Sequence, residues 1–385
     1  MTRSSTCTAD PAEDLTVCMP TWRRFYPAAF LSGGYEAQDV LADVCTLDLL
    51  PLEPESGFQS REQWLRRMVW KDPTGLLARF NPGLRPVTLT KDYDLFIVYC
   101  QTLKELMFVN AVRGWQSRAR KSVCIIAELY AGDVEASRNF LNLLSEFDYV
   151  FTELCDSGPA ISRVIDRPCH CLPAAVDAIR FTPFTSNPKR VVDVYSIGRR
   201  RPEIHRSLMQ LSSQDELFYI YDSFAGGAEA PIIDYFAHRE LIASIVKRSL
   251  CFMVAPAKWD VPEETRGQVA IASRYFEGAA GGAVMIGQPS DTDEFRELFD
   301  WPDVVVPAAE DGSDIGSVVR MLKSEPEFAA QVGRRNAAQA LLRHDWAYRW
   351  RQLFEMVGEQ PGPSMRDRET RLRDLAQRGG GSSAQ

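Results

Sequence analysis

The chain has 385 residues, is 45% hydrophobic, and carries 44 basic against 52 acidic side chains for a formal net charge of −8. That length allows two or three domains with packed cores, and the acidic balance argues against a nucleic-acid partner, whose footprint would be basic. No run reaches the roughly 18 apolar residues of a membrane span. The polar, acid-bearing start over 1–14 reads as disordered and not as a secretory signal. Nine cysteines, an odd number with no Cys-x-x-Cys, read as reduced thiols of a cytoplasmic protein. Cys169 and Cys171 flank His170, but without a second cluster this spacing does not suit zinc, so no metal site is expected.

In chain order, residues 15–19 read as a first strand, followed by Trp22, Arg23, Arg24 and a Gly33-Gly34 turn. In a doubly wound sheet ligands meet the carboxyl ends of strands, so this loop is expected to face a cleft. Its aromatics and arginines equally suit a cover for the sheet edge. Residues 50–90 are rich in proline and charge, with a helical piece over 61–68, and long connections of this kind often shape a binding site. The strand 93–100 leads to a helix over 103–113. The strand 122–127 ends in Glu128, with Tyr130, Gly132 and Asp133 just beyond. A helix over 135–146 precedes the strand 149–152, which is capped by Glu153. The segment 167–183 is bounded by Pro168, Pro173 and Pro183 and suits a linker. Strand–helix alternation throughout argues for a parallel α/β domain.

A second alternation starts at Arg190. The strand 191–197 runs into Gly198-Arg199-Arg200-Arg201-Pro202 and a helix over 205–211. A glycine after a strand, then basic residues opening a helix, suits a diphosphate through amide donors, helix dipole and guanidinium; a solvated basic turn has the same composition. Strands over 217–221 and 249–254 enclose a loop at 222–234 and a helix over 238–247. The loop 255–265, with Asp260, Glu263 and Glu264, reads as solvated acids. Residues 274–280 then form a short helix, stopped by Gly281-Gly282 where a positive φ is cheap, before a buried strand over 283–286. Arg274 and Glu277, three apart, share a helix face. The carboxylate can accept from a ribose diol, and the arginine and helix start can receive phosphate; an ordinary surface ion pair has the same spacing. A strand over 304–306 and helices over 315–322, 328–342 and 348–357 follow, with His344 read as structural. The charged, Gly- and Ser-ended stretch 359–385 reads as a flexible tail. Neither a phosphate-binding P-loop nor a Gly-x-Gly-x-x-Gly run is present.

The run Arg274-x-Phe276-Glu277-x-Ala279-x-Gly281-Gly282 resembles the donor-side signature of GT-B glycosyltransferases. It is most similar to the spore-maturation-type group. Leu172-Pro173-x-x-Val176-Asp177-x-x-x-Phe181-x-Pro183 resembles the hinge that closes the first GT-B domain, with Ala175 where the family usually has glycine. The resemblance implies an α/β fold of two Rossmann-like, doubly wound parallel domains facing a cleft. The expected division is a disordered 1–14, an acceptor-side domain over 15–182 completed by a returning helix over 345–358, a nucleotide-sugar domain over 187–343, and the tail 359–385. It implies donor contacts from Gly198, Arg199, Arg200, Arg274, Tyr275, Phe276 and Glu277, with Glu277 on the ribose. In the broader retaining group a first glutamate stands eight positions earlier, near the sugar; here that position is Val269.

The reaction so implied moves a hexose-type sugar from a nucleotide diphosphate sugar, the donor substrate, to a hydroxyl-bearing small molecule, glycan or lipid-linked acceptor, with no cofactor. Arg199, Arg200 and Arg274 would neutralise the leaving diphosphate in place of a metal. Glu128, Asp133 and Glu153, each just past a first-domain strand, are the candidate catalytic proton acceptors. A retaining course, in which the donor phosphate can take the proton, is favoured. The alternatives are a non-catalytic nucleotide-sugar or glycan-binding protein on the same scaffold and a nucleotide-sugar epimerase.

Overall fold

The computed structural model describes residues 13–223, 232 and 234–380. The strands of the first half are β1 (Thr16–Thr21), β2 (Thr46–Pro51), β3 (Val87–Thr88), β4 (Tyr93–Thr102), β5 (Val112–Arg113), β6 (Ala119–Glu128), β7 (Tyr149–Thr152) and β8 (Cys169–Cys171). Those of the second half are β9 (Val192–Ser196), β10 (Tyr219–Tyr221), β11 (Ser249–Val254), β12 (Val284–Gly287) and β13 (Val305–Pro307). They build a six-stranded sheet in the order β2-β1-β4-β6-β7-β8 and a five-stranded sheet in the order β10-β9-β11-β12-β13, with β3 and β5 paired apart. Every pairing is parallel.

The central strands are buried on both faces because helices cover both. Leu95 to Cys100 in β4, Val123 to Ile126 in β6 and Val284 to Ile286 in β12 are all buried apolar runs, as parallel sheets require. In the first sheet the chain steps from β1 outward to β2, then crosses back to β4. In the second it steps from β9 outward to β10, then back to β11. Each reversal leaves a crevice at the carboxyl ends of the two strands that part there, which is where doubly wound sheets bind ligands. The expected fold class, two Rossmann-like α/β domains of GT-B type, is the one observed.

The two sheets share one apolar core. It runs from Val17, Ile97 and Ile125 through the helices Ser32–Val44 and Trp346–Met356 to Phe252 and Met285. The helix Trp346–Met356 lies on the first domain, where Trp350 Nε1 donates to the Ala37 carbonyl at 3.0 Å. Gly282 takes the positive φ of 64° that stops the helix Ser273–Ala280.

Several expectations need correction. The stretch 359–385 is not a loose tail: Pro363–Gly380 is a helix, held by Arg368, which pairs with Asp43 (2.7 Å), Asp177 (2.7 Å) and Asp345 (2.9 Å). Residues 381–385 lie outside the described residues. Of the stretch 1–14, Asp14 is fixed by accepting from the Ser364 amide at 3.0 Å, and 1–12 lie outside the described residues. The 103–113 segment folds as a tight 3-10 helix over Leu103–Ala111, and 135–146 as a short α-helix, Arg138–Leu141, that tightens into a 3-10 turn over Asn142–Glu146. Strands β2 and β8 were not anticipated, since β2 is a half-exposed edge strand ending in proline and β8 has only three residues. The reduced-thiol reading fails at one pair: Cys155 and Cys171 are disulfide-bonded, with Cα atoms 4.8 Å apart. Parallel pairing of Thr152 with Cys171 brings the turn after β7 against β8, a proximity no spacing rule reveals.

Candidate active site

The second-domain crevice opens at the end of β9. Gly198 has a φ of 77°, and a Cβ there would collide with the Arg274 guanidinium. Arg274 Nε donates to the Ile197 carbonyl at 2.9 Å, so the arginine lies directly over this turn. Two stretches 76 residues apart in sequence are therefore one feature. The Gly198 amide donates to Asp222 Oδ1 at 3.1 Å, and Arg200 pairs with the same carboxylate. Arg199 pairs with Asp260 at 2.8 Å. Arg201 pairs with Glu310 at 2.8 Å and stacks 4.0 Å from the Trp259 ring. Arg199, Arg200 and Arg274 border this turn, and each already has a carboxylate partner, so a diphosphate would compete for the guanidinium groups.

Glu277 is 2% exposed. Its Oε1 accepts from Arg239 Nη1 at 2.5 Å and its Oε2 from Arg274 Nη1 at 3.5 Å. Arg239 turns its other edge to Glu36 of the first domain, with Nε to Oε2 at 2.8 Å and Nη2 to Oε1 at 3.1 Å. Burial pushes the Glu277 carboxyl up, but Arg239 and Arg274 outweigh it and hold the group below its ordinary range. The carboxylate is thus charged, and its more weakly held Oε2 is the atom that could accept from another donor. The expectation for Tyr275 and Phe276 is corrected: their side chains are core. The Tyr275 hydroxyl donates to the Gln288 carbonyl at 2.5 Å, and Phe276 packs on Phe299 and His344 with centroids 5.2 Å apart in both pairs. Both rings are fully enclosed among apolar neighbours of the core.

Across the crevice stand the three acids expected to take a proton. Two face cations of the second domain: Glu128 pairs with Lys258 at 2.6 Å, which also reaches Glu264 at 3.1 Å, and Asp133 pairs with Arg266 at 2.8 Å. Gln268 bridges the same gap, accepting from the Ala131 amide at 2.8 Å and donating to Ser157 Oγ at 3.2 Å. Glu153 differs. It accepts from the Tyr99 hydroxyl at 2.5 Å, and burial, opposed by Tyr99 and Arg349, raises its carboxyl to about 7. Burial and the neighbouring Asp156 raise Glu294, on the second domain, to about 7 as well. Nearby, Thr152 Oγ1, Ser290 Oγ and Arg349 Nη2 are buried without a partner among the described residues. Among those residues the one group of three ligand-type side chains within 4.8 Å is Cys155, Cys171 and Glu294, and two of the three share the disulfide.

Sequence reasoning missed Arg239, Glu36, Lys258, Arg266 and Gln268. The first two did leave a signal. Arg239 sits on the buried stripe Ile242, Ala243, Val246 of the helix Tyr235–Lys247, and Glu36 on the stripe Val40, Val44 of the helix Ser32–Val44. A charge on an apolar stripe needs a buried partner.

Comparisons with known proteins bear on the fold. Residues 238–355 match the family described as glycosyl transferase-like. No curated protein matches the chain in sequence. Among solved structures, an alpha-glucosyltransferase in complex with UDP and a 13-mer DNA containing an HMU base is similar over 90% of this chain and 100% of its own, with a TM-score of 0.54 and 10% identity. An alpha-glucosyltransferase in complex with UDP-glucose and DNA containing an abasic site covers the same shares, with a TM-score of 0.53 and 9% identity. At such identity the likeness is one of fold. The chain therefore has the GT-B glycosyltransferase fold, and the segment 238–355, which holds Arg239, Lys258, Arg274 and Glu277, is glycosyl transferase-like.

Proposed function

We propose that the protein is a glycosyltransferase that moves a hexose-type sugar from a nucleotide diphosphate sugar to a hydroxyl acceptor, without a metal. The observation that carries this is the seat of Arg274 over the Gly198 turn, beside Glu277 and at the β9/β11 reversal. A glycine with positive φ, a guanidinium and the start of a helix converge there, as anion binding demands. The diphosphate would lie on Gly198, Arg199, Arg200 and Arg274, displacing Asp260 and Asp222 from the two exposed-side arginines. Glu277 Oε2 would accept from a ribose hydroxyl. A hexose-type donor is in keeping with the UDP-glucose bound by a protein of the same fold.

In the step itself the acceptor oxygen bonds to the anomeric carbon as the bond from that carbon to the diphosphate breaks. In the retaining course the hydroxyl proton passes to the departing phosphate oxygen. Of the three first-domain acids, Glu153 is best suited to take it instead, since a carboxyl near 7 can both accept and release a proton at neutral pH. Glu128 and Asp133, tied to Lys258 and Arg266, would hold the two domains together over the substrates.

The test is turnover without acceptor across UDP-, GDP- and dTDP-sugars. Slow release of free sugar and nucleotide diphosphate, lost in Arg274→Ala, is the expected result. Tight binding with no turnover would mean a binding protein, and release of an epimerised sugar an epimerase.

A further inference from the structure

Outside the crevice, the first domain carries a surface that its own fold leaves uncovered. The helix Phe58–Val69 buries Leu65 and Val69. At roughly 100° per residue, Arg67 points the opposite way and Trp64 to one side. Trp64 is 60% exposed, and Trp70, Leu76 and Phe80, which follow on the same helix end and the adjoining Leu76–Arg79 turn, are 47%, 59% and 59% exposed. Four large exposed apolar side chains within 17 residues of chain exceed the scattered exposure normal for a soluble surface.

Charge says what covers them. Residues 58–85 hold six basic and two acidic side chains in a chain whose net charge is −8. Both acids are spent internally: Asp72 is buried, capping the Thr74 and Leu77 amides at 3.0 and 2.8 Å, and Glu62 pairs with Arg66. Arg61, Arg79 and Arg85 have acidic partners in Glu55, Glu146 and Glu53. Arg67 and Lys71 are exposed and have no ion pair among the described residues. Tryptophans beside lysine and arginine on an outward helix face are what an interfacial helix needs, the rings entering the headgroup boundary while the cations meet anionic lipid. A polyanion such as nucleic acid would use the cations but gain nothing from Leu76 and Phe80.

We propose that this face, Trp64, Arg67, Trp70, Lys71, Leu76 and Phe80, docks the protein on an anionic lipid bilayer as a peripheral contact. No helix among the described residues is long and apolar enough to cross a membrane. The inward side of the same helix packs on the loop after β1, where Phe58 lies edge-on to Phe25 with centroids 5.3 Å apart, and that loop meets the second domain through Tyr26 and Tyr235.

Flotation of the full chain with phosphatidylcholine vesicles, with and without phosphatidylglycerol, tests this. The wild type should float with the anionic vesicles at least tenfold more than with the neutral ones, and salt should release it. Arg67→Glu with Lys71→Glu should cut that binding tenfold or more, as should Trp64→Ala with Trp70→Ala, while melting temperature and nucleotide binding stay unchanged. Equal flotation of wild type and both double variants would overturn the proposal. So would a wild-type dimer that Trp64→Ala with Trp70→Ala dissolves, or capture of an oligonucleotide in preference to vesicles.

Discussion

Two of the sets of ion pairs that join the domains differ in kind. Glu36–Arg239–Glu277 is enclosed, with all three side chains at most 5% exposed. Glu128–Lys258 and Asp133–Arg266 lie at the crevice mouth, with side chains 26–60% exposed. The enclosed bridge cannot part without leaving charge in an apolar setting, whereas the mouth pairs can exchange partners for water. The first therefore fixes where the domains meet, and the second can yield to substrates. Because Glu277 belongs to the enclosed bridge and also borders Arg274, a donor held as proposed would share this carboxylate with the domain contact.

The sharpest way to break the contrast is Arg239→Met, which removes the cation between two buried carboxylates and leaves Glu36 only the cation Arg180 at 3.4 Å and Glu277 only Arg274 at 3.5 Å. Stability should drop by about 3–5 kcal/mol, read by denaturant unfolding. A loss near that of a surface pair would show that the bridge is not enclosed in solution. Next, Glu277→Gln keeps the shape but weakens acceptance from a ribose hydroxyl, and nucleotide affinity should fall by ~1.5–3 kcal/mol by calorimetry.

A third expectation concerns pH. Folded Glu153 holds its proton to about 7, while an unfolded glutamate loses it at about 4.3. Between those values the folded state binds more protons, so this group's contribution to stability falls as pH rises through the window. Glu153→Gln should flatten that fall and melt above the wild type at pH 8. If Glu153 takes the acceptor's proton, turnover of the wild type should rise as pH passes about 7, where the folded group loses its proton. The smallest effect belongs to the mouth: Asp133→Asn should cost no more than about 1 kcal/mol, and less at high salt.

The parts of this arrangement that could be read from sequence are those carried by local pattern. The buried runs of β4, β6 and β12 name their strands, and Gly198 and Arg274 stand at turns whose chemistry is local. Glu36 and Arg239 lie 203 residues apart, and only the fold brings them together. The helix Pro363–Gly380 shows the same blindness. Its buried stripe Met365, Arg368, Leu372, Leu375 is hidden among so many charges that the segment reads as solvated. In both helices an arginine occupies a core position because carboxylates from other elements meet it there. Tyr275 and Phe276 failed for the converse reason: a motif places residues in a neighbourhood, but helical period decides which side chains face the crevice.

The most direct test of the central claim is calorimetric titration of UDP, GDP and dTDP into the full chain in excess EDTA, for wild type and Arg274→Ala. At least one nucleotide should bind the wild type in EDTA, and Arg274→Ala should weaken it by about tenfold or more, since a charge-assisted contact contributes ~1.5–3 kcal/mol. Unchanged binding in Arg274→Ala, or binding that appears only when Mn2+ is supplied, would contradict the arginine-based, metal-free donor site.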